Sequence, residues 1–246
     1  MRLDQALVIR GLCESRAEAQ ELIADGHVLV NGVLISKQTR ETIETDAIEV
    51  TARRKFVSRG GEKLEGILLD IFKTEEAIRA LCEGNRALDI GSSTGGFTDC
   101  LLKMGVAHVD AVDVGTQQLH EKLRNDPRIA LYENTDIRQF KNEHTYDIVV
   151  ADLSFISLKN VFADVMKFGT EGTSYFLLLK PQFEVGQGNT KKGIVKDQHI
   201  VDKILSEYKE LAREFDMQDV QIVPCRIRGG DGNQEYFLYG RKRGGR

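Results

Sequence analysis

The stretch RALDIGSSTGGFTDCLLK, residues 86–103, decides the fold that we predict for most of the chain. Its apolar segment 87–90 has the length of a buried strand, and a glycine loop and a helical segment follow it. Further apolar, strand-sized segments lie at 109–113, 146–152, 175–180, 220–223 and 236–239, and a helical stretch runs from about 198 to 215. This alternation predicts an α/β fold with a mostly parallel sheet that helices cover on both faces.

The beginning of the chain has a different pattern, which predicts a small α+β domain over residues 1–52. Ser15 and Glu18 form a capping box that starts the second of two short helices. Asn31 and Gly32 separate two apolar runs, and these residue types tolerate the positive φ angles of a tight turn. We therefore expect two helices followed by a β-hairpin.

A basic segment with two adjacent glycines separates the two patterns. It predicts a linker over residues 53–62, with a hinge at Gly60 and Gly61. After it, apolar residues at helical spacing predict an amphipathic helix whose first turn carries Lys63. The second domain is thus predicted to cover residues 63–246.

The composition limits the class of protein. The chain has 246 residues, of which 41% are hydrophobic and 29% are charged, so it can bury a core and is not a disordered polymer. No apolar segment approaches the roughly 18–20 residues that cross a bilayer, and the N-terminus lacks the apolar core of a signal peptide. The four cysteines form no CxxC pair, which favours reduced thiols, a cytoplasmic protein and no metal site.

The formal net charge of −4 is unevenly distributed. Residues 225–246 hold six basic and two acidic side chains, and residues 53–63 hold five basic side chains against one acidic one. A local basic patch attracts phosphates whatever the total charge, although such a run is also typical of a merely solvated surface.

The polar residues at the predicted strand ends suggest a ligand site. The glycines of the first loop are spaced G-x-x-x-G-G, and this spacing lacks the second glycine that a dinucleotide fingerprint requires. The loop still allows a ligand to approach the backbone closely, and it exposes amide groups at the start of a helix, where they can bind a carboxylate. Asp113 ends the next strand, 22 residues after Gly91, where a carboxylate can bind ribose hydroxyls. Asp136 could accept a hydrogen bond from an adenine amino group.

Together these features resemble the S-adenosylmethionine pocket of the Rossmann-like methyltransferases. The resemblance implies a seven-stranded, mostly parallel sheet and S-adenosylmethionine as the cofactor. The residues that it assigns to cofactor binding are Asp89, Gly91, Ser92, Ser93, Thr94, Gly95, Gly96, Phe97, Asp113 and Asp136.

Four residues far apart in the sequence carry the candidate chemistry. Asp152 and Lys180 end two predicted strands, Glu235 precedes the last strand, and Lys63 lies on the helix before the sheet. Each also fits an ordinary role when taken alone, because Asp152 could cap a helix and the others could be solvated charges. A lysine at the end of an apolar strand is nevertheless an unusual place for a solvated charge.

In this order the four residues resemble the Lys-Asp-Lys-Glu set of the FtsJ-like ribose 2′-O-methyltransferases. A ribose hydroxyl is a weak acid, so its attack on a methyl group needs a base. A lysine is a base only when neutral, and burial beside a second cation favours the neutral amine. The resemblance thus implies Lys180 as the base and Lys63 as the second cation, with Asp152 and Glu235 orienting the amines and the hydroxyl. Methyltransferases that act on base nitrogens typically carry N/D-P-P-Y/F where this chain has DLSF at 152–155, which favours ribose.

The N-terminal domain, with GHVLVNG at 26–32, is similar to the alpha-L RNA-binding domain named after a small-subunit ribosomal protein. This similarity implies that its basic residues, and those of the linker, contact structured RNA. The RNA-binding candidates are Arg2, Arg10, Arg16, Arg53, Arg54, Lys55 and Arg59.

From Arg2 to about Tyr239, including DLSFISL, LLLKPQFEVG and GNQEYFL, the chain resembles the hemolysin-A/TlyA family. The resemblance implies 2′-O-methylation of cytidine in ribosomal RNA, with ribosomal RNA or subunits as partner, no membrane and no obligate protein partner. Two alternatives remain at this point. A membrane-active hemolysin would need a secretion signal, a membrane span or a lytic helix, and a non-catalytic ribosome-assembly factor would bind RNA and the cofactor without turnover.

Overall fold

The computed structural model describes residues 1–52, 55–185, 190–191 and 193–244. Arg53 and Arg54, which we predicted to contact RNA, lie outside the described residues. The chain divides into two compact units, Met1–Lys55 and Phe56–Arg246.

The N-terminal unit contains two helices and a small sheet. Its elements are α1 (Leu3–Ile9), α2 (Arg16–Ala24), β1 (Val28–Val30), β2 (Val33–Leu34) and β3 (Ile48–Val50). The Ser15 side chain accepts a hydrogen bond from the Glu18 amide, and Asn31 and Gly32 have φ angles of 52° and 76° in the hairpin turn. The helix start and the hairpin are therefore confirmed. β3 was not predicted; it pairs antiparallel with β1 and completes the sheet order β2-β1-β3 within the described residues.

The larger unit is an α/β structure. Its helices are α3 (Arg59–Phe72), α4 (Glu75–Cys82), α5 (Gly96–Lys103), α6 (Glu121–Arg124), α7 (Phe162–Met166), α8 (Pro181–Glu184) and α9 (Gln198–Glu214), with a 3-10 turn at Leu158–Asn160. Its strands are β4 (Arg86–Ile90), β5 (His108–Val112), β6 (Ile129–Tyr132), β7 (Tyr146–Ala151), β8 (Gly169–Leu179), β9 (Met217–Pro224) and β10 (Tyr236–Lys242).

In the described part of the unit these strands form a seven-stranded sheet in the order β6-β5-β4-β7-β8-β10-β9. The strands β4 to β8 pair in parallel, and β10 pairs antiparallel with both β8 and β9. The predicted mostly parallel sheet is confirmed, although β6 was not among the predicted strands.

Helices bury both faces of this sheet. Along β7, Ile148 and Val150 belong to the hydrophobic cluster that includes residues of α3, α4 and α5, whereas Val149 and Ala151 belong to the cluster with residues of α7 and α9. Because successive strand side chains point to opposite faces, this division shows that each face has its own core. The double coverage explains why the strands are almost continuously apolar.

The predicted linker over residues 53–62 is wrong at its C-terminal end, because α3 already begins at Arg59. Gly60 and Gly61 lie in the first turn of this helix, and Lys63 is its fifth residue. A Cβ atom on Gly61 would lie 2.4 Å from the Cβ atom of Phe56, and one on Gly96 would lie 2.2 Å from the Oγ atom of Ser58. Gly61 therefore leaves room for Phe56, and Gly96 lets the start of α5 lie close to α3, so the predicted hinge is instead part of a packed helix.

Candidate active site

A cavity of about 320 Å³ lies at the carboxyl ends of β4, β5 and β7. From β4 the sheet continues through β5 in one direction and through β7 in the other, so the cavity occupies the topological switch point of the sheet. The residues that line it are Ile90, Gly91, Ser93, Val112, Asp113, Val114, Gln118, Thr135, Asp136, Ile137, Asp152, Leu153, Ser154, Phe155, Ile156 and Val161.

The glycine loop after β4 needs its glycines for both conformation and space. Gly91 and Gly95 have φ angles of 80° and 91°, in the left-handed region that favours glycine. A Cβ atom on Gly91 would lie 2.4 Å from the backbone oxygen of Asp152. A Cβ atom on Gly95 would lie 2.5 Å from Leu123 Cδ1. The loop therefore brings the backbone of β4 directly against the chain that leaves β7.

Both predicted acidic residues beyond β4 line the cavity. Asp113 accepts hydrogen bonds from the Ser93 amide (2.8 Å) and the Gly115 amide (2.6 Å), one on each carboxylate oxygen. A carboxylate offers about four acceptor positions, so Asp113 keeps two for a ligand. The Arg138 guanidinium donates to both oxygens of Asp136 and holds the pKa of that carboxyl at about 2. Asp136 is therefore ionised and is tied to its neighbour in the chain.

A smaller cavity of about 100 Å³ adjoins the same loop and is lined by Asp89, Ser92, Thr94, Gly96 and Phe97, among others. Asp89 is fully buried, and its Oδ2 atom accepts a hydrogen bond of 2.6 Å from the Thr98 hydroxyl. Burial raises the pKa of Asp89 to about 7, and the charges of Asp152 and Asp113 add to the increase. Among the described residues, Asp89 Oδ1 and Ser92 Oγ are buried without a hydrogen-bond partner.

The predicted cofactor residues thus fall into different groups. Gly91, Ser93, Asp113 and Asp136 line the larger cavity, whereas Asp89, Ser92, Thr94, Gly96 and Phe97 line only the smaller one. Gly95 shapes the loop, and the Phe97 ring packs against Phe237 in the core, with 5.9 Å between the ring centroids.

The four candidate catalytic residues form two ion pairs on the side of the sheet where the parallel strands β7 and β8 end. Lys63 Nζ lies 2.5 Å from Glu235 Oε2, and both side chains are buried. Lys180 Nζ lies 2.5 Å from Asp152 Oδ1 and donates to Ser154 Oγ at 2.8 Å. Because Tyr236 pairs with Leu179 across β10 and β8, the strand register brings Glu235 beside Lys180.

The buried thiol of Cys225 lies within electrostatic reach of both ion pairs. Burial raises its pKa to about 12, and Glu235, Lys63, Asp152 and Lys180 all act on it electrostatically. Such effects fall off with distance, so one thiol senses all four charges only if they lie close together.

A second cavity of about 460 Å³ lies beside these pairs. Lys180 and Glu235 line it, and it shares Ser154 and Phe155 with the cavity at the switch point. The Phe155 side chain is 92% exposed, and its ring lies 5.4 Å from the ring of Phe183. Lys180 and its partners therefore lie where the two cavities meet.

Several lining residues were missed by the sequence analysis. Gln118 lines the first cavity from a loop that carries no motif, and Thr135 lines it from the position before the candidate Asp136. Phe155 had a signal, since it lies in the DLSF segment, but only its 92% exposure distinguishes it from a core phenylalanine.

The predicted RNA-binding arginines of the N-terminal unit have structural partners. The guanidinium groups of Arg2 and Arg16 donate to the carboxylate of Asp4, which is fully buried. Burial would raise the pKa of Asp4, but hydrogen bonds from Gln20, Arg16 and Arg2 outweigh it and lower the value to about 2. The side chains of Arg2 and Arg16 remain 38% and 52% exposed, so both also face solvent.

The remaining basic candidates are placed differently. The Arg10 guanidinium donates to the backbone oxygens of Ile43, Glu44 and Asp46. Lys55 is exposed. Arg59, in the larger unit, reaches the loop before Glu235, because a Cβ atom on Gly230 would lie 2.8 Å from its Nη2 atom.

The fold and the strand-end site define a Rossmann-like methyltransferase joined to a small domain of the ribosomal-protein type. Residues 56–242 match the family described as FtsJ-like methyltransferase, and residues 1–39 match the S4 domain. The chain belongs to the FtsJ-like methyltransferase family, and its relatives over nearly its full length place it with the hemolysin A and TlyA proteins.

Three relatives illustrate this placement. The 16S/23S rRNA (cytidine-2′-O)-methyltransferase TlyA of Mycobacterium tuberculosis is 40% identical over 244 residues, which cover 97% of this chain and 88% of the relative. Hemolysin A of Brachyspira hyodysenteriae is 38% identical over 244 residues, with coverage of 97% and 99%. A solved structure from Streptococcus thermophilus, described as a hemolysin, superposes with a TM-score of 0.74 at 32% identity and covers 99% of this chain and 88% of its own.

All four cysteines lie in described parts of the chain, and none forms a disulfide. Within the ranges that the structure describes, the helices lack the combination of length and apolar character needed to cross a membrane.

Proposed function

We propose that this protein transfers a methyl group from S-adenosylmethionine to the ribose 2′-hydroxyl of cytidine in ribosomal RNA. The observation that carries the proposal is the convergence of the Lys63–Glu235 and Lys180–Asp152 pairs beside the cavity at the switch point. The named activity of the M. tuberculosis relative supports the choice of cytidine and of ribosomal RNA. A ribosomal RNA substrate supports a cytoplasmic location for the protein.

The residues at the switch point fit S-adenosylmethionine. Asp113 has acceptor positions left for ribose hydroxyls, and Asp136 keeps one on Oδ2 for an adenine amino group. Apolar side chains such as Val112 and Ile137 line the same cavity and suit the face of a flat ring. The two unpartnered polar atoms, on Asp89 and Ser92, suit the polar amino-acid part of the molecule. When bound, S-adenosylmethionine supplies an electrophilic methyl group on a sulfonium.

Lys180 is the proposed base. It lines the second cavity, and its Nζ atom donates to Ser154, which lines both cavities. In its neutral form this amine can take the proton of a 2′-hydroxyl. Asp152 then stabilises the ammonium that forms, and Ser154 holds the amine in place. Lys63 and Glu235 form the facing pair and orient the hydroxyl. A positioned base contributes about 10²- to 10⁴-fold to such a reaction.

The Met1–Lys55 unit and the basic residues that follow it are proposed to bind the RNA. The match to the S4 domain supports this assignment. Arg2 and Arg16 combine partial exposure with a fixed orientation on Asp4, which suits contacts with phosphates. Arg59, beside the loop before Glu235, would hold a phosphate close to the target ribose.

The test is transfer of labelled methyl groups from S-adenosylmethionine to ribosomal subunits or to ribosomal RNA. The wild-type protein should label the RNA, and Lys180→Ala should lower the rate by about 10²- to 10⁴-fold. Lys209→Ala is the matched control, because Lys209 is an exposed lysine on α9. An RNA-binding protein without any transfer at saturating cofactor would instead be a non-catalytic assembly factor.

A further inference from the structure

The loop that follows β7 carries candidate active-site residues, and one of its residues has an unfavourable backbone conformation. Phe155 has a φ angle of 67°, which is rare for a bulky residue, and its side chain is 92% exposed. Because the ring is exposed, its burial cannot offset the free-energy cost of this backbone conformation. Such a conformation persists only where neighbouring contacts hold it.

These contacts lie on both sides of Phe155. On the N-terminal side, Lys180 Nζ contacts Asp152 and Ser154. On the C-terminal side, Glu184 accepts a hydrogen bond of 2.5 Å from the Ser157 hydroxyl and one of 3.0 Å from the amide of Leu158. Hydrogen bonds to an ionised carboxylate are shorter and stronger than neutral ones.

Lys180 and Glu184 are linked through α8. Lys180 is the residue before this one-turn helix, and Glu184 is its last residue. The helix is therefore attached to the β7 loop at both of its ends. A displacement of the Glu184 end would be transmitted directly to the amine of Lys180.

Glu184 contacts residues that are buried in the core. The fully buried Tyr208 of α9 lies next to it: burial raises the pKa of this tyrosine, and the charge of Glu184 adds to the increase. Leu158, whose amide donates to Glu184, is also buried. The carboxylate thus ties the β7 loop to α8 at the edge of the core.

We propose that Glu184 is a positioning residue, which fixes the loop 152–158 against α8 so that Lys180, Asp152 and Ser154 keep their catalytic arrangement. The inference rests on the proposed function for its effect on methyl transfer. It makes a separate statement about the loop itself, which can be tested without any substrate.

The first experiment measures methyl transfer by Glu184→Ala, Glu184→Gln and Ser157→Ala. Glu184→Ala should lower kcat by about 100-fold, because small misplacements of reacting groups have effects of this size. Glu184→Gln should stay within about fivefold of wild type, since its amide can accept from Leu158 and donate to Ser157. In a double-mutant cycle, Ser157→Ala should add at most about twofold to the effect of Glu184→Ala. Equal impairment by both Glu184 variants, or fully multiplicative effects, would overturn the proposal.

The second experiment measures hydrogen–deuterium exchange of the peptide that covers residues 153–158. Glu184→Ala should speed exchange there, because the Leu158 amide loses its acceptor, whereas Glu184→Gln and the control Glu210→Ala should resemble wild type. If Glu184→Ala does not fold, Ser157→Ala and Glu184→Gln still carry the test. Unchanged exchange in Glu184→Ala refutes the inference, whereas absence of methyl transfer by the wild-type protein refutes only the proposed function.

Discussion

The buried carboxyl of Asp89 should make the stability of the larger unit depend on pH. Its folded-state pKa is about 7, against an ordinary value of 3.8. Between these pH values the unfolded carboxyl is ionised and the folded one holds its proton, so unfolding releases a proton. The free energy of unfolding therefore falls as the pH rises from about 4 to about 7, and the loss is complete above about pH 8.

The size of this loss follows from the two pKa values. At about 1.4 kcal/mol for each pH unit, the difference corresponds to about 4 kcal/mol. Asp89→Asn removes the ionisation but can still accept the hydrogen bond from Thr98. The unfolding free energy of the variant, relative to wild type, should therefore rise by about 4 kcal/mol between pH 4 and pH 8.

The assay is urea unfolding at a series of pH values without cofactor, with the transition of the Phe56–Arg246 unit followed by circular dichroism. Glu210→Gln, which changes an exposed acid on α9, serves as the control and should track the wild type. If Asp89→Asn and wild type show parallel pH dependence, the burial argument for Asp89 is refuted.

Three further substitutions test the packing of the sites. Gly91→Ala would place its Cβ atom 2.4 Å from the Asp152 backbone oxygen at a φ angle of 80°, so calorimetry should show at least about tenfold weaker S-adenosylmethionine binding. Gly229→Ala would place its Cβ atom 2.6 Å from Glu235 Oε1, so kcat should fall by about 10- to 100-fold with an unchanged circular dichroism spectrum. Asp4→Asn removes the anion that holds two guanidinium groups, and chemical unfolding should show a loss of about 2 kcal/mol in the N-terminal unit.

Local patterns predicted the elements that local interactions determine. The Asn31-Gly32 turn and the Ser15 cap depend on neighbouring residues, and the structure contains both. The strand β3 is only three residues long, and its pairing with β1 depends on a partner about twenty residues away, so its own pattern carried little signal. β6 was missed for a similar reason: it lies at the edge of the sheet and is only partly buried.

The glycines at the start of α3 show that adjacent glycines in a sequence do not always form a hinge. Gly60 and Gly61 were interpreted as a hinge because glycine is flexible in an isolated chain. In the structure, Phe56 occupies the space that a side chain on Gly61 would need, and a Cβ atom on Gly60 would lie in van der Waals contact with Gly96 and Phe97 of α5. Only the tertiary contact distinguishes glycine used for close packing from glycine used for flexibility.

The sequence predicted that the four candidate catalytic residues lie close together, but not which of them form ion pairs. The strand ends indicated Asp152 and Lys180, since parallel strands bring their carboxyl ends to one edge. The pairing depends on side-chain geometry between residues far apart in the sequence. Lys63 and Glu235 are separated by 172 positions, and Asp152 and Lys180 by 28. The partners of Arg2 and Arg16 on Asp4 were missed for the same reason, because a basic residue in a motif looks identical whether or not it has a structural partner.

The position of the methyl group on the product nucleoside tests the central claim most directly. Ribosomal RNA treated with the wild-type protein and S-adenosylmethionine would be digested to nucleosides and analysed by mass spectrometry. A ribose-directed site built on Lys180 predicts 2′-O-methylcytidine from the wild type and almost none from Lys180→Ala. A methyl group on the cytosine base, or undiminished 2′-O-methylcytidine from Lys180→Ala, would contradict it.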